Sequence, residues 1–548
     1  MDVCVVGSGA GGAPVAWECA RAGMSVVVLE KGPRYQARDF VPHDEILHCR
    51  RDFFVPFERD EPHLLARDGA ATAARTRFGW TAACVGGGTM HMTGLFFRLR
   101  PEDMRLRAAL GAPEGADVAD WPVAYEALAP FYEEVEDYLG LSGADDELPA
   151  EWRRGRAFPL GPVVAHPLKN VLMDAARAQG LHPFTTPRAI LGAPYRGRAG
   201  CTYCHFCGSY GCEVDAKSSA LVTWLRDAEA TGHCEVRARA MAARIETDAD
   251  GRARRVVYLT PGGERVQPAR VVVVACTAVE SARLLLNSAS AAHPHGLANE
   301  SGLVGRHLTF STGGTVRGVF RYARSPVPEA VLRSPGMFVD ASFQDAYVAR
   351  GAGLPYPKAG TVQLNLMHTN PIYHALEVAL ETSPPRFGKA LKDALRDRVR
   401  GGRTIEAESF CEFLPNAGTR VTVDASVADR FGLPAARIDL RHHPADLAAS
   451  RHLQSLAEKV LRAAGADPVV VLHPGEADYL QHGTCRFGED PAASVLDPNC
   501  RAHETKNLFV TDASFMPTSG GVPPTLTIMA NAVRVARFLV AESRAGRL

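Results

Sequence analysis

No run of apolar residues in this 548-residue sequence is long enough to cross a bilayer. The longest, VVVVACTAV at 271–279, stops at Glu280, whereas a spanning helix needs about twenty such residues. An excess of charge of one sign is also missing. Lys plus Arg and Asp plus Glu each total 61, so no long-range field favours nucleic acid or an anionic membrane, and a small molecule is the expected partner. Thirteen cysteines in a chain of this length are too sparse for a disulfide scaffold. The opening residues, MDVCVVG, carry neither a basic segment nor a cleavage site, which argues against a standard secretory signal and gives the expectation of a cytoplasmic protein with no transmembrane segment. Internal repeats and long low-complexity linkers are absent too, while the length suffices for two or three domains and a large core.

What is present begins at once. Residues 2–6 form a β-rich run, Gly7-Ser8-Gly9-Ala10-Gly11-Gly12 follows, then APVAWECARAGM with helical spacing, then a second apolar run, SVVVLE. Strand, glycine turn, helix and strand in that order make a dinucleotide-binding unit. Gly7 allows the tight turn, Gly9 lets the backbone approach a pyrophosphate, and Gly12 lets helix and strand pack closely, with the helix N-terminus facing the phosphates. Glu30, eighteen residues past Gly12, is placed to accept hydrogen bonds from a ribose and to repel a 2′-phosphate. The motif alone does not separate NAD from FAD.

Further motifs follow in order: Arg77-Phe78-Gly79-Trp80, VGGGTMHMTGLFFRLRPEDM (85–104), VVVVACTAVESARLLLNS (271–288), then GTCRFGEDPAASVLD, NLFVTDASFMPTSG and PPTLTIMANAVRVARFL. Together these resemble the glucose-methanol-choline (GMC) family of FAD-dependent oxidoreductases over nearly the whole chain. The resemblance implies an α/β Rossmann-type FAD domain assembled from discontinuous segments, with an antiparallel-sheet substrate domain capping the flavin. Residues 1–310 would be mainly FAD-binding, with cap elements around 101–200; residues 311–475 would bind substrate, and 476–548 would return to the FAD domain. It also implies that Gly86, Gly87, Gly88 and Thr89 run under the flavin ring, that Val236 meets the adenine, that Asp512 sits at the ribityl-pyrophosphate, and that the helix opened by Pro524 and Thr525 points at the pyrimidine edge. The patterning agrees: TVQLNLMHT at 361–369 alternates as a half-buried strand does, VRGVFRY near 316 less cleanly, and VVVVA at 271 reads as a strand covered on both faces. ADLAASRHLQSLAEKVLRAAG (445–465) places Leu447, Leu453, Leu456, Val460 and Ala464 on one helical stripe.

The sequence departs from its family where the chemistry lies. Members carry a histidine three residues before the Gly-Thr of the C-terminal block and a His or Asn before the Pro of the later P-T segment. Here those positions are Leu480 and Pro523, and neither side chain accepts a proton. His482 is one candidate replacement, because in extended backbone it shares a face with residue 480, displaced by about 7 Å. His91, after the flavin loop, is another, as are His442 and His443; structural readings stand beside all of them.

Cys201, Cys204, Cys207 and Cys212 are spaced C-x2-C-x2-C-x4-C. This spacing suits an iron-sulfur cluster or a four-thiolate zinc site, and equally a loop of reduced thiols or a local disulfide. Cys4, Cys19, Cys276 and Cys411 sit in apolar contexts as core residues. The expected function is oxidation of a CH–OH group with hydride transfer to flavin N5, to an electron acceptor the sequence leaves open. A redox-neutral lyase or isomerase, or an inactive flavin-binding subunit, is the alternative.

Overall fold

The computed structural model describes residues 1–40, 60–76, 82–204, 206–208, 210–311, 313–334, 336, 338–366, 371–472 and 479–548. Its centre is a parallel sheet whose strands run in the order Leu508–Val510, Val271–Val274, Val3–Val6, Val26–Leu29 and Cys234–Arg237. The first four are buried at every position, as continuous β-branched runs must be when both faces are covered. Helix Gly12–Arg21 leaves the first strand through the glycine turn and packs against the C-terminal helix Thr525–Arg544. A Cβ on Gly12 would stand 2.0 Å from the Gly7 carbonyl oxygen, so only glycine lets this helix start where it does.

A second sheet has six strands, ordered Val469–Val471, Thr315–Arg321, Gly402–Cys411, Gly360–Leu366, Ala341–Phe343 and Phe184–Thr185, with every pair antiparallel. Helices Leu168–Ala178 and Pro444–Ala463 cover one face. Along Gly402–Cys411, Ile405, Ala407 and Cys411 enter the core beneath those helices. Period-two alternation leaves Glu406, Glu408 and Phe410 on the other face. Another six-stranded sheet, Gln481–Thr484, Arg306–Phe310, Arg420–Ala428, Pro434–Leu440, His63–Arg67 and Ala74–Thr76, and a three-stranded meander over 241–268 complete the layers.

The fold is thus a mixed α/β one with a discontinuous Rossmann-like sheet and an antiparallel partner, as the sequence implied. The stripe on Pro444–Ala463 differs from expectation. Leu453 and Val460 are buried, but Leu447 and Leu456 are only partly so, and Ala449 and Ala457 take the sheet-facing positions. Small side chains there let the helix lie close to the strands. The Arg77-Phe78-Gly79-Trp80 stretch lies outside the described residues. Among the described residues no helix is long and apolar enough to cross a membrane.

Candidate active site

A cavity of about 490 Å³ opens at the carboxyl ends of the parallel strands, lined by Val6–Gly11, Leu29–Lys31, Ala275–Thr277 and Asp512–Ala513, where doubly wound sheets take their ligands. Two of its glycines act differently. Gly7 has φ 100°, and a Cβ there would sit 2.2 Å from the Ala275 carbonyl oxygen. Gly9 has nothing nearer its missing Cβ than the Gly87 Cα at 3.7 Å, so its lack of a side chain leaves space beside the backbone rather than relieving a clash.

Glu30 ends the second strand, buried. One carboxylate oxygen accepts from the Ser8 hydroxyl (2.6 Å) and the Ser8 N–H (3.3 Å), the other from the Gly32 N–H (2.9 Å). Burial raises its pKa. The Ser8 hydroxyl oxygen also accepts from the Gly86 N–H at 2.9 Å, which ties the second glycine loop to the first. Thr89 fixes that loop by donating to the Gly86 carbonyl (2.6 Å) and accepting from the Ala220 N–H (2.8 Å). Gly87, Gly88 and Thr89 line the cavity; Gly86 and Gly12 stand behind its wall. Val236, paired with Val28 on the outermost parallel strand, is also off the wall. Small residues Ala240, Ala242 and Ala243 line the cavity, and the run ARAMAAR was the sequence signal for them.

Asp512 is buried on the wall. It accepts from the Thr277 N–H (3.2 Å), the Ser281 hydroxyl and the Ser514 N–H (2.8 Å); burial raises its pKa. Pro523, Pro524 and Thr525 also line the cavity, so the N-terminus of the twenty-residue helix Thr525–Arg544 opens into it. Its first N–H groups have no intrahelical partners, and its dipole favours negative charge. The space beside Gly9, the buried acid at the second strand's end and the helix starts at Gly12, Ala278 and Thr525 together suit a dinucleotide.

The same cavity is also lined by Glu408, Phe410, Tyr479, Leu480, Gln481 and Pro523. Both atypical positions therefore lie on the wall. His482 does not. Leu480 has φ 60°, a left-handed turn of the backbone that breaks the alternation on which its shared face with His482 depended. The strand Gln481–Thr484 starts after that turn; Gln481 reaches the cavity and His482 points into the sheet, fully buried. Burial pushes its pKa down to about 3, so the ring is neutral.

His91 follows the glycine turn Gly87–Met90 and lines the cavity. His442 packs against Phe413, and His443 caps helix Pro444–Ala463, its Nδ1 accepting from the Ala445 N–H at 3.1 Å and its Nε2 donating to the Glu114 carbonyl at 2.9 Å. Neither lines the cavity.

The four clustered cysteines are free thiols. Cys207 packs with Val163, Ile190 and Phe338, and Cys201 accepts from the Tyr203 N–H at 3.3 Å. Burial holds both protonated, with pKa values raised to about 12 for Cys207 and about 11 for Cys201. Among the described residues no group of three or more His, Cys, Asp or Glu is gathered to hold a metal ion. The iron-sulfur and zinc readings thus find no donor set, and the local disulfide is not formed.

Glu408 and Tyr479 are among the wall residues that the sequence reading did not single out. Glu408 has its pKa raised to about 7 by burial, against the nearby Tyr479 hydroxyl, which lowers it. The alternation I-E-A-E-S-F at 405–410 was the available signal. It marks a strand with an acidic face.

Family models described as GMC oxidoreductase match residues 63–312 and 415–532, and one described as an NAD(P)-binding Rossmann-like domain matches residues 5–63. Among curated proteins, 6'''-hydroxyparomomycin C oxidase of Streptomyces lividus is 34% identical over 100% of this chain and 92% of its own. The chain belongs to the GMC oxidoreductase family. Paromamine 6'-oxidase of Streptomyces fradiae is 33% identical over 99% of this GMC chain and 91% of its own, and 2-methyl-1,2-propanediol dehydrogenase of Mycolicibacterium austroafricanum 31% over 98% and 95%. Among solved structures, pyridoxine 4-oxidase from Mesorbium loti superposes with TM-score 0.62 at 17% identity, over 98% of this chain and 99% of that one. A formate oxidase does so with TM-score 0.63 at 15%, over 100% and 99%. At those identities the structures support the GMC fold alone.

Proposed function

We propose that this GMC oxidoreductase binds FAD along Gly7, Gly9, Glu30, Gly87, Gly88, Thr89, Asp512 and the Thr525 helix start, and oxidises a CH–OH group of a small polar molecule. Residues 1–310 and 476–548 serve chiefly the cofactor in this reading, and 311–475 the substrate. The observation that carries it is the single cavity running from the glycine loops to Leu480, Pro523 and the polar strand face at Glu408. When bound, FAD supplies a two-electron acceptor for hydride. The chain's own residues hold the dinucleotide, place the substrate carbon beside it and take the hydroxyl proton.

The names of the paromomycin and paromamine oxidases support an amino-sugar hydroxyl as the first substrate class to try. A dehydrogenase stands among the relatives as well, so the final electron acceptor is either oxygen or a carrier. The test is anaerobic bleaching of the purified holoenzyme by a panel of alcohols that includes amino sugars and simple diols. Bleaching by one class supports the reading. A flavin that no alcohol bleaches favours instead a redox-neutral enzyme or an inactive subunit on the same scaffold.

A further inference from the structure

Position 480 holds leucine and position 523 proline, yet an alcohol that gives up hydride must also lose its hydroxyl proton. We propose, resting on the function just described, that Glu408 accepts that proton.

The argument starts from place. Glu408 lines the same cavity as Leu480 and Pro523. It belongs to an inner strand, paired with Thr315 on one side and Gln363 on the other, so its backbone is held from both flanks. Tyr479, the chain neighbour of Leu480, meets Phe410 edge-on at 6.2 Å between ring centroids. Phe410 lies two residues along the same face of the strand. The strand face that carries Glu408 thus meets, through Phe410, the residue adjoining the vacated histidine position.

The other carboxylates on the wall serve the cradle. Glu30 is held by Ser8 and Gly32, Asp512 by Thr277, Ser281 and Ser514, and Glu280 by His63 and Arg283. Two histidines remain to be weighed. His482 is sealed inside its sheet, and His91, which also lines the cavity, follows the glycine turn and does not belong to the strand whose Phe410 meets Tyr479.

The charges facing Glu408 suit the role. Glu406, two residues along, raises its pKa and Tyr479 lowers it. The Glu406 charge is itself met by Arg317 at 2.8 Å, and Thr315 and Gln363 across the ladder carry no ionisable group. The result, a pKa of about 7, leaves much of the carboxylate free to accept a proton at neutral pH, where a general base works best.

In the step itself the substrate C–H bond breaks with its electron pair, which passes as hydride to the oxidised flavin. The O–H bond breaks and its proton goes to Glu408. The C=O bond forms; the alcohol loses two electrons and the flavin gains them.

The test uses the holoenzyme and three variants, with an alcohol that bleaches the parent. Glu408→Gln is expected to keep its flavin, to be reduced 10²- to 10⁴-fold more slowly, and to lose the rise of rate with pH near 7. Tyr479→Phe should move that rise to higher pH, because the nearby Tyr479 hydroxyl lowers the Glu408 pKa. Glu408→Asp, should Glu408→Gln fold poorly, should keep the rise at a reduced rate. Independently of turnover, the infrared band of a protonated carboxyl should titrate away with a midpoint near pH 7 in the parent and be missing from Glu408→Gln. A Glu408→Gln enzyme reduced at the parent rate with the parent pH profile overturns the assignment while leaving the oxidoreductase reading intact. A parent bleached by no alcohol removes the reading itself, and the assignment with it.

Discussion

At the scale of single residues, His482 and Gly9 show opposite uses of space. His482 fills its site with no exposure and stays neutral because burial depresses its pKa from 6.5 to about 3. In the unfolded chain it takes up a proton below about pH 6.5; in the native one it resists until about pH 3. Its neutral form therefore supports the fold fully above pH 6.5, and that support drains away as pH falls towards 3, by about 1.4 kcal/mol per pH unit. His482→Gln, compared with the parent by denaturant titration at pH 4, 5, 6 and 7, is expected to show a flatter acid limb. If the two curves stay parallel, the histidine is already protonated in the native state. Gly9 keeps space open instead. A side chain at this position meets only the Gly87 Cα at 3.7 Å and the Gly86 carbonyl at 4.0 Å, so Gly9→Val should fold with a parental circular dichroism spectrum while the flavin-to-protein ratio falls to near zero. A yellow, fully loaded Gly9→Val protein removes the cofactor from this loop.

At the scale of elements, the site depends on a segment that is neither helix nor strand. Ser519 and Gly520, just upstream of Pro523, donate their N–H groups to Glu412 at 2.7 and 2.8 Å, and the Gly520 carbonyl accepts from Lys358 at 3.1 Å. Lys358 also pairs with Asp103 at 2.9 Å, and Tyr347 donates to the same carboxylate at 2.6 Å. Each of these groups is buried. Glu412→Ala strands two buried N–H groups, and the expected loss is about 2–4 kcal/mol, with weaker flavin retention because the turn before Thr525 loses its anchor. A change below 0.5 kcal/mol in urea unfolding at pH 7 contradicts this role.

The same elements show why the sequence was only partly readable. The strand, glycine turn and helix at residues 3–21 are local, each positioned by neighbours a few residues away, and periodicity exposed them. The sheet face holding Glu406, Glu408 and Phe410 joins a strand at 402–411 to partners at 315–321 and 360–366. Its alternation was visible, but what it faced was decided by distant chain. The place of His482 failed for a different reason: one left-handed residue, Leu480, displaced the register, and a leucine with φ 60° announces itself by no side-chain signal. The cap made by His443 was likewise hidden, since capping falls chiefly to Ser, Thr, Asp and Asn.

At the scale of the whole molecule, the dinucleotide groove is walled by segments from both ends of the chain, and a ligand bridging them resists unfolding. Removing FAD and restoring it at a free concentration a hundredfold above Kd should add about 2.7 kcal/mol of stability. This is checked by urea unfolding of apo and reloaded protein. Equal midpoints for the two place the cofactor outside the fold's cooperative unit.

The Thr511 hydroxyl donates to the Gly11 carbonyl across 500 residues of sequence, and this has a consequence for how the protein is made. On the ribosome, the glycine turn and its helix emerge some 500 residues before the strand that completes the sheet and the helix that opens into the cavity. Between the synthesis of Val271–Val274 and that of Leu508–Val510 the nascent chain carries an uncovered strand edge at Val271–Val274. The groove therefore closes only after that strand is made, and the growing polypeptide depends until then on whatever shields the edge.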